Sequence, residues 1–91
     1  MAFSKIEINT NEWTLIGDDV TEITFQNASS FPIYINFNSS NTAPTDTVGI
    51  VYGPFSGELK KTIADMTLIS SPTFVFARSM SKPSSVIVET A

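Results

Sequence analysis

The chain has 91 residues, of which 42% are hydrophobic and only 15% charged, and its formal net charge is −4. A chain of this length holds one hydrophobic core at most, so we expect residues 1–91 to form a single domain. Five basic against nine acidic residues give no cationic surface for nucleic acid, and the absence of Cys and His excludes disulfides, thiolate sites and Ser–His or Cys–His catalysis.

The N-terminal residues show no basic segment followed by an apolar run, which is the pattern of a secretory signal. Uninterrupted apolar stretches elsewhere reach only about four residues, far below the length of a membrane-spanning helix. We therefore expect a non-secreted protein that has no membrane partner.

Three strands are predicted in the first part of the chain. Glu12 to Gly17 is a short strand, and Val20 to Asn27 alternates apolar and polar residues before the turn-forming residues Asn27 to Ser30. The clearest alternation is in Phe31 to Asn38, where every second residue is Phe or Ile. The second and third strands are predicted to form a hairpin.

The middle of the chain predicts a loop, a strand and an ambiguous stretch. Ser39 to Thr47 has almost nothing to bury, so it should be an exposed loop, and Val48 to Tyr52 resumes strand character. Glu58 to Ile69 has apolar residues near helical spacing but also several β-branched residues and no capping pair. A strand followed by a turn is favoured there over a helix.

The last two predicted strands, Thr73 to Ser79 and Ser84 to Thr90, are apolar on both faces. Such strands are covered on both sides, either by the fold or by a neighbouring subunit. One sandwich has one interior, which favours a subunit interface and hence a homo-oligomer. The candidate subunit or partner interface consists of Phe74, Val75, Phe76, Arg78 and Ile87.

Seven to eight short strands at near-regular spacing predict an all-β fold, a small antiparallel β-sandwich. Both the jelly-roll and the immunoglobulin-like topology fit this spacing, and the sequence leaves both open.

No constellation of catalytic residues, no cofactor motif and no convincing metal site is found, so we expect a protein that is not an enzyme. Asp18, Asp19 and Glu22 could offer oxygens to a hard cation, but a solvated turn is the favoured interpretation. The alternative function is a carbohydrate-binding β-sandwich module. Its sugar platform would consist of the aromatic residues Trp13, Tyr34 and Tyr52.

Several motifs, taken in order, resemble small virion-associated proteins of tailed bacteriophages. They cover most of the chain, and each is weak alone. The segments are Glu12–Ile16, Thr24–Asn27, Phe31–Ile35, Ala43–Asp46 and Phe74–Ser79.

The resemblance implies a β-sandwich structural component of the phage particle, such as a capsid decoration protein or a head or tail accessory protein. It implies phage capsid or tail proteins as partners, and location in the virion after assembly in the host cytoplasm. It also favours a trimer over a dimer. No catalytic residue is carried over, and a low-charge surface rich in Ser, Thr and Asn suits hydrogen-bonded contact with a lattice.

Overall fold

A computed structural model describes residues 3–68 and 73–90. Eight strands and one 3₁₀-helix are found in these ranges. The strands are β1 Ser4–Ile8, β2 Thr14–Gly17, β3 Glu22–Asn27, β4 Ile33–Asn38, β5 Ile50–Tyr52, β6 Gly57–Thr62, β7 Phe74–Ser79 and β8 Ser84–Thr90, and the 3₁₀-helix is Ile63–Asp65. The all-β prediction is confirmed, and β1 is a strand that the sequence did not indicate.

The alternation in the sequence positions β4 with one face in the core. Ile33 and Ile35 are fully buried, whereas Tyr34 and Asn36 between them are half-buried. Successive side chains of a strand point to opposite faces, so a period of two puts the isoleucines inside. The 39–47 loop that follows is exposed at every residue except the half-buried Pro44, as predicted.

Two four-stranded sheets pack face to face. Sheet A has the order β1-β8-β3-β6 and sheet B the order β2-β7-β4-β5. All strand pairs are antiparallel. The chain changes sheet at every connection except the one between β4 and β5, and this strand order is that of the jelly roll. The structure thereby decides between the two sandwich topologies that the sequence left open.

The predicted hairpin between the second and third predicted strands is wrong. β3 pairs with β6 and β8 in sheet A, whereas β4 pairs with β5 and β7 in sheet B. Residues 28–32 carry the chain from one sheet to the other. Turn-forming residues show where a strand ends, but they do not determine which sheet the next strand joins.

The buried side chain of Asn27 holds this crossing in place. Its amide Nδ2 donates to the carbonyl oxygens of Phe31 (2.7 Å) and Gly53 (3.0 Å). Its Oδ1 accepts from the backbone N–H and the hydroxyl of Ser29. A buried amide needs such partners, and here they join the β3–β4 crossing to the turn between β5 and β6.

The core lies between the two sheets. Phe25 is its largest fully buried side chain. The buried residues of the core are Ile8, Ile16, Val20, Ile23, Phe25, Ile33, Ile35, Ile63, Val75, Ala77, Val86 and Val88. Val20 and Ile63 lie outside the strands, and the other ten come from every strand except the edge strands β5 and β6, so these two strands contribute less to the interior than the others.

The ambiguous stretch is a strand followed by a short 3₁₀-helix and a turn, as the favoured interpretation predicted for Glu58 onwards. Ile63 is buried and takes the first position of the 3₁₀-helix. Ile69, the predicted end of the stretch, lies outside the described residues.

Candidate interaction surface

The five residues predicted as an interface do not form one surface. Val75 is fully buried in the core, and Phe76 is only 2% exposed. Phe74, Arg78 and Ile87 are half-buried, and Ile87 lies in sheet A while the others lie in sheet B. The inference that β7 needs a second subunit to cover one of its faces is therefore wrong for Val75 and Phe76.

The outer face of sheet B is covered by the chain itself. Phe76 pairs with Leu15 on one side and Asn36 on the other. The 39–49 loop crosses this face and is held by two hydrogen bonds. Trp13 Nε1 donates to the carbonyl oxygen of Asp46 at 2.7 Å, and Asn36 Nδ2 donates to that of Val48 at 3.2 Å.

Arg78 is also bound within the subunit. Its Nε donates to the carbonyl oxygen of Thr10 at 3.0 Å, in the segment that leads into β2. Arg78 is the only arginine in the sequence, and the partner of its Nε atom is a backbone carbonyl group. The guanidinium thereby ties β7 to the β1–β2 connection.

The predicted aromatic platform does not form. Trp13 is 7% exposed, so its ring has no free face for a sugar, although it lies 6.4 Å from the Tyr34 ring. The Tyr52 ring packs edge-on against Phe25 at 5.0 Å, on the core side of sheet B. Its hydroxyl donates to Glu58 Oε2 at 3.2 Å. Burial and the nearby Glu58 carboxylate raise the pKa of Tyr52.

Little in the described part of the chain suggests chemistry. Residues 3–68 and 73–90 contain no group of three or more acidic side chains placed to hold a metal ion. Asp18, Asp19 and Glu22 are accordingly not brought together as ligands. No helix within those ranges is long and apolar enough to cross a membrane.

Exposed apolar side chains are concentrated at one side of the sandwich. Eight large hydrophobic residues are exposed in the described ranges, and five of them lie between residues 48 and 59. Three of these five lie on the edge strands β5 and β6, one precedes β5 and one lies in the turn between the two strands, and all are 50 to 80% exposed. They form the β5–β6 surface: Val48, Ile50, Val51, Phe55 and Leu59.

A groove of about 400 Å³ opens on the β6 part of this surface, and we call it the Phe55–Leu59 groove. It is lined by Phe25, Gln26, Phe55, Gly57 and Leu59. Gln26 Nε2 donates to the carbonyl oxygen of Phe55 at 2.9 Å and so fixes one wall. Any Cβ at Gly57 would overlap the Phe25 carbonyl oxygen, so glycine is required at the floor.

The turn that presents Phe55 is strained. Phe55 has a φ of 58°, in the left-handed region that residues with a Cβ seldom occupy. The side chain that results is 59% exposed. The backbone thus holds a large apolar ring out towards solvent at the mouth of the groove.

The two edge strands of this side differ in how they are protected. In β6 the register shifts between the pairs Ile23–Lys61 and Phe25–Glu58, so the strand is bulged. Lys60, at a φ of 47°, and Lys61 lie at this bulge and are exposed. In β5 no residue is charged, and its pairing with β4 is regular. Bulges and lysines discourage pairing with another chain, so β6 is protected and β5 is not.

The sequence analysis missed the β5–β6 surface, although a signal for it exists. Residues 47–57, Thr-Val-Gly-Ile-Val-Tyr-Gly-Pro-Phe-Ser-Gly, contain no charged side chain. An apolar segment without charge is expected inside a protein, and only the topology shows that it lies at an edge. Comparisons with protein-family models, with curated proteins and with solved structures find no match to the chain.

Proposed function

We propose that the protein is a non-enzymatic structural component of a bacteriophage particle, a capsid decoration or head or tail accessory protein that binds the virion lattice. The observation that carries the proposal is the β5–β6 surface, because five of the eight large hydrophobic residues exposed in the described ranges lie between residues 48 and 59, on or next to these two edge strands. Concentrated apolar exposure of this kind is typical of protein contact sites. Binding by shape and apolar contact is what a lattice component requires.

The Phe55–Leu59 groove is the contact that we assign to the lattice. Two exposed apolar side chains flank it, and the Gln26 side chain and the peptide groups around Gly57 offer polar atoms at its floor. An apolar centre with a few fixed polar groups suits insertion of an apolar side chain from a partner protein. Lys60 and Lys61 lie beside it and favour an acidic rim on that partner.

The topology supports the same proposal at the level of analogy. The jelly-roll order of sheets A and B is common in viral capsid domains, although the fold also serves lectins and cupins. The sequence resemblance to phage virion proteins, over segments such as Glu12–Ile16 and Phe31–Ile35, points in the same direction. The carbohydrate-binding alternative is less well supported, because Trp13 is buried and Tyr52 packs against Phe25.

The proposal includes a homo-oligomeric assembly in the virion. A small domain has a thin stability margin, which burial of the exposed apolar side chains between subunits would increase. The three-fold symmetry expected from the resemblance has no separate support in the fold, because Val75 and Phe76 are buried within each subunit.

The test uses particles made from the genome that carries this gene, with the gene deleted, to which purified protein is added back. We expect wild-type protein to sediment with the particles. The double variant Phe55→Ser, Leu59→Ser should stay in the supernatant. Met80→Ser is the matched control, since Met80 is exposed and apolar but lies outside the β5–β6 surface.

Two outcomes would overturn the proposal. Wild-type protein that stays in the supernatant has no affinity for the particle. Co-sedimentation of the double variant at the wild-type level would show that the groove is not the contact. Circular dichroism of each variant checks that the β-fold is retained.

A further inference from the structure

Of the four edge strands in the described residues, only β5 carries neither a charged side chain nor a register shift. β1 carries Lys5 and Glu7, and β6 carries a bulge and two lysines. The regular ladder of β2 is interrupted by a register shift between Leu15 and Gly17. Soluble proteins protect edge strands with charged side chains, with bulges or by keeping the strand short. Of these three features β5 has only its short length of three residues.

The charge distribution indicates what can approach this edge. The chain has a net charge of −4, so two copies repel each other over most of their surfaces. The segment 47–57 is uncharged and includes the whole of β5. An approach through β5 therefore brings no charged side chain of that strand against its own copy.

We propose that a second copy of this chain pairs with β5, antiparallel and about a two-fold axis, so that the two B sheets form one continuous eight-stranded sheet. The unpaired N–H and C=O groups of β5 then find partners in the other copy. A two-fold contact places the same patch against itself, which requires a segment that does not repel its own copy. β5 meets this requirement because it is uncharged.

The same contact covers the exposed apolar side chains of the strand. Val48, Ile50 and Val51 are 70, 50 and 51% exposed in the single subunit. Cross-strand pairs of β-branched residues stabilise an antiparallel ladder. The contact thus removes three of the five apolar side chains of the β5–β6 surface from water.

The Phe55–Leu59 groove remains open in this dimer. It is built on β3 and β6 of sheet A, and the bulge and lysines of β6 keep that edge from continuing the ladder. Each dimer therefore presents two grooves. The inference rests on the homo-oligomeric part of the proposed function, and it replaces the expected three-fold assembly with a two-fold one.

The first test is the mass of the purified full-length chain by light scattering at micromolar concentration. We expect a dimer. Val51→Lys places two like charges close together across the axis, and we expect the dissociation constant to rise at least about a hundredfold. Met80→Lys makes the same charge change at an exposed apolar residue away from β5 and should leave the dimer intact.

The second test uses the absence of cysteine from the chain. Ile50→Cys and Val51→Cys are oxidised separately. A residue at the two-fold axis faces its own copy at about 4.5–5.5 Å between Cα atoms, which a disulfide can bridge. At least one variant should form a covalent dimer rapidly, and Met80→Cys should not.

A monomer or trimer mass for the wild type overturns the inference. A Val51→Lys protein that stays dimeric, or crosslinking at Met80→Cys as fast as at β5, overturns it as well. The particle assay gives a separate answer. Lattice binding by a monomeric protein would keep the structural role and reject the β5 contact, whereas a dimer without affinity for particles would do the reverse.

Discussion

The outer faces of the two sheets are covered in opposite ways. On sheet B, Trp13 and Phe76 are almost fully buried, and Trp13 is hydrogen-bonded to the 39–49 loop. On sheet A, Ile87 is half-buried and its neighbours across the ladder are Lys5 and Gln26, both exposed. The outer face of sheet B therefore forms a second, smaller apolar layer, whereas the outer face of sheet A is open to solvent around Ile87.

The difference shows that a polar loop can cover an apolar face. The 39–49 loop is rich in Ser, Asn and Thr, and its side chains are mostly exposed. It is held by its backbone, because the carbonyls of Asp46 and Val48 accept hydrogen bonds from Trp13 and Asn36. An apolar strand face next to such a loop needs no second subunit.

Of the substitutions that test this difference between the two faces, truncation of Trp13 should lower the free energy of unfolding most. Trp13→Ala removes the largest side chain under the loop together with the hydrogen bond to Asp46, and we expect a loss of about 3–5 kcal/mol in the free energy of unfolding. Ile87→Ala, on the open face, should cost about 1 kcal/mol. Urea unfolding measures both. Equal losses would show that the loop does not close the face of sheet B.

A smaller effect is expected where the loop passes closest to sheet B. A Cβ at Gly49 would lie 2.8 Å from the carbonyl oxygen of Ile35 and 3.1 Å from the Trp13 ring. Gly49→Ala must therefore shift the backbone, which we expect to cost about 1–3 kcal/mol.

Gly53→Ala is the matched control, since its Cβ would meet nothing nearer than Ser56 Oγ at 3.9 Å. Its unfolding free energy should change by about 0.5 kcal/mol or less. The same result for Gly49→Ala would mean that the loop stands away from β4 in solution.

The smallest effect concerns the inner side of β5, where Tyr52 joins sheet B to Glu58 of sheet A. Tyr52→Phe removes this hydrogen bond and should cost about 0.5–1.5 kcal/mol at neutral pH. Because the pKa of Tyr52 is raised in the folded protein, the unfolded chain loses this proton first. The stabilisation is complete below the ordinary tyrosine pKa of about 10 and is lost as the pH rises through the folded value.

Unfolding midpoints measured between pH 8 and about 11 check this prediction. The wild type should lose more stability across the range than Tyr52→Phe does. Tyr34 remains in both proteins, so the difference between the two curves reports Tyr52 alone. Parallel curves would contradict the pKa direction.

Alternation in the sequence was sufficient to predict the sandwich. β4 shows this best: of the four residues predicted to share a buried face, Ile33 and Ile35 are fully buried, and Phe31 and Phe37 are half-buried. The choice of jelly roll could not be made in this way. Local alternation says that a strand has one buried face, but the pairing of β1 with β8 or β3 with β6 depends on contacts between distant segments.

The candidate site was harder to predict for a related physical reason. The apolar residues of β7 suggested an interface because the sequence does not show that Val75 lies in the core and that Phe76 is also buried within the subunit. Val48 to Tyr52 was predicted as a strand, and β5 covers Ile50–Tyr52 of it. The exposure of this segment follows only from the position of β5 and β6 at sheet edges. Asn27 was assigned to a turn, and its bond to Gly53 is likewise a long-range contact.

The left-handed backbone conformation of Phe55 lowers the stability of the fold but places the aromatic ring where a partner protein can contact it. A residue with a Cβ in this conformation costs about 1–2 kcal/mol relative to one that adopts it freely. Glycine at this position would relax the turn and remove the ring that forms the mouth of the groove. Selection of variants for thermal stability alone would therefore favour glycine or asparagine at residue 55. The most stable variants would then lack the aromatic ring and bind a partner less well.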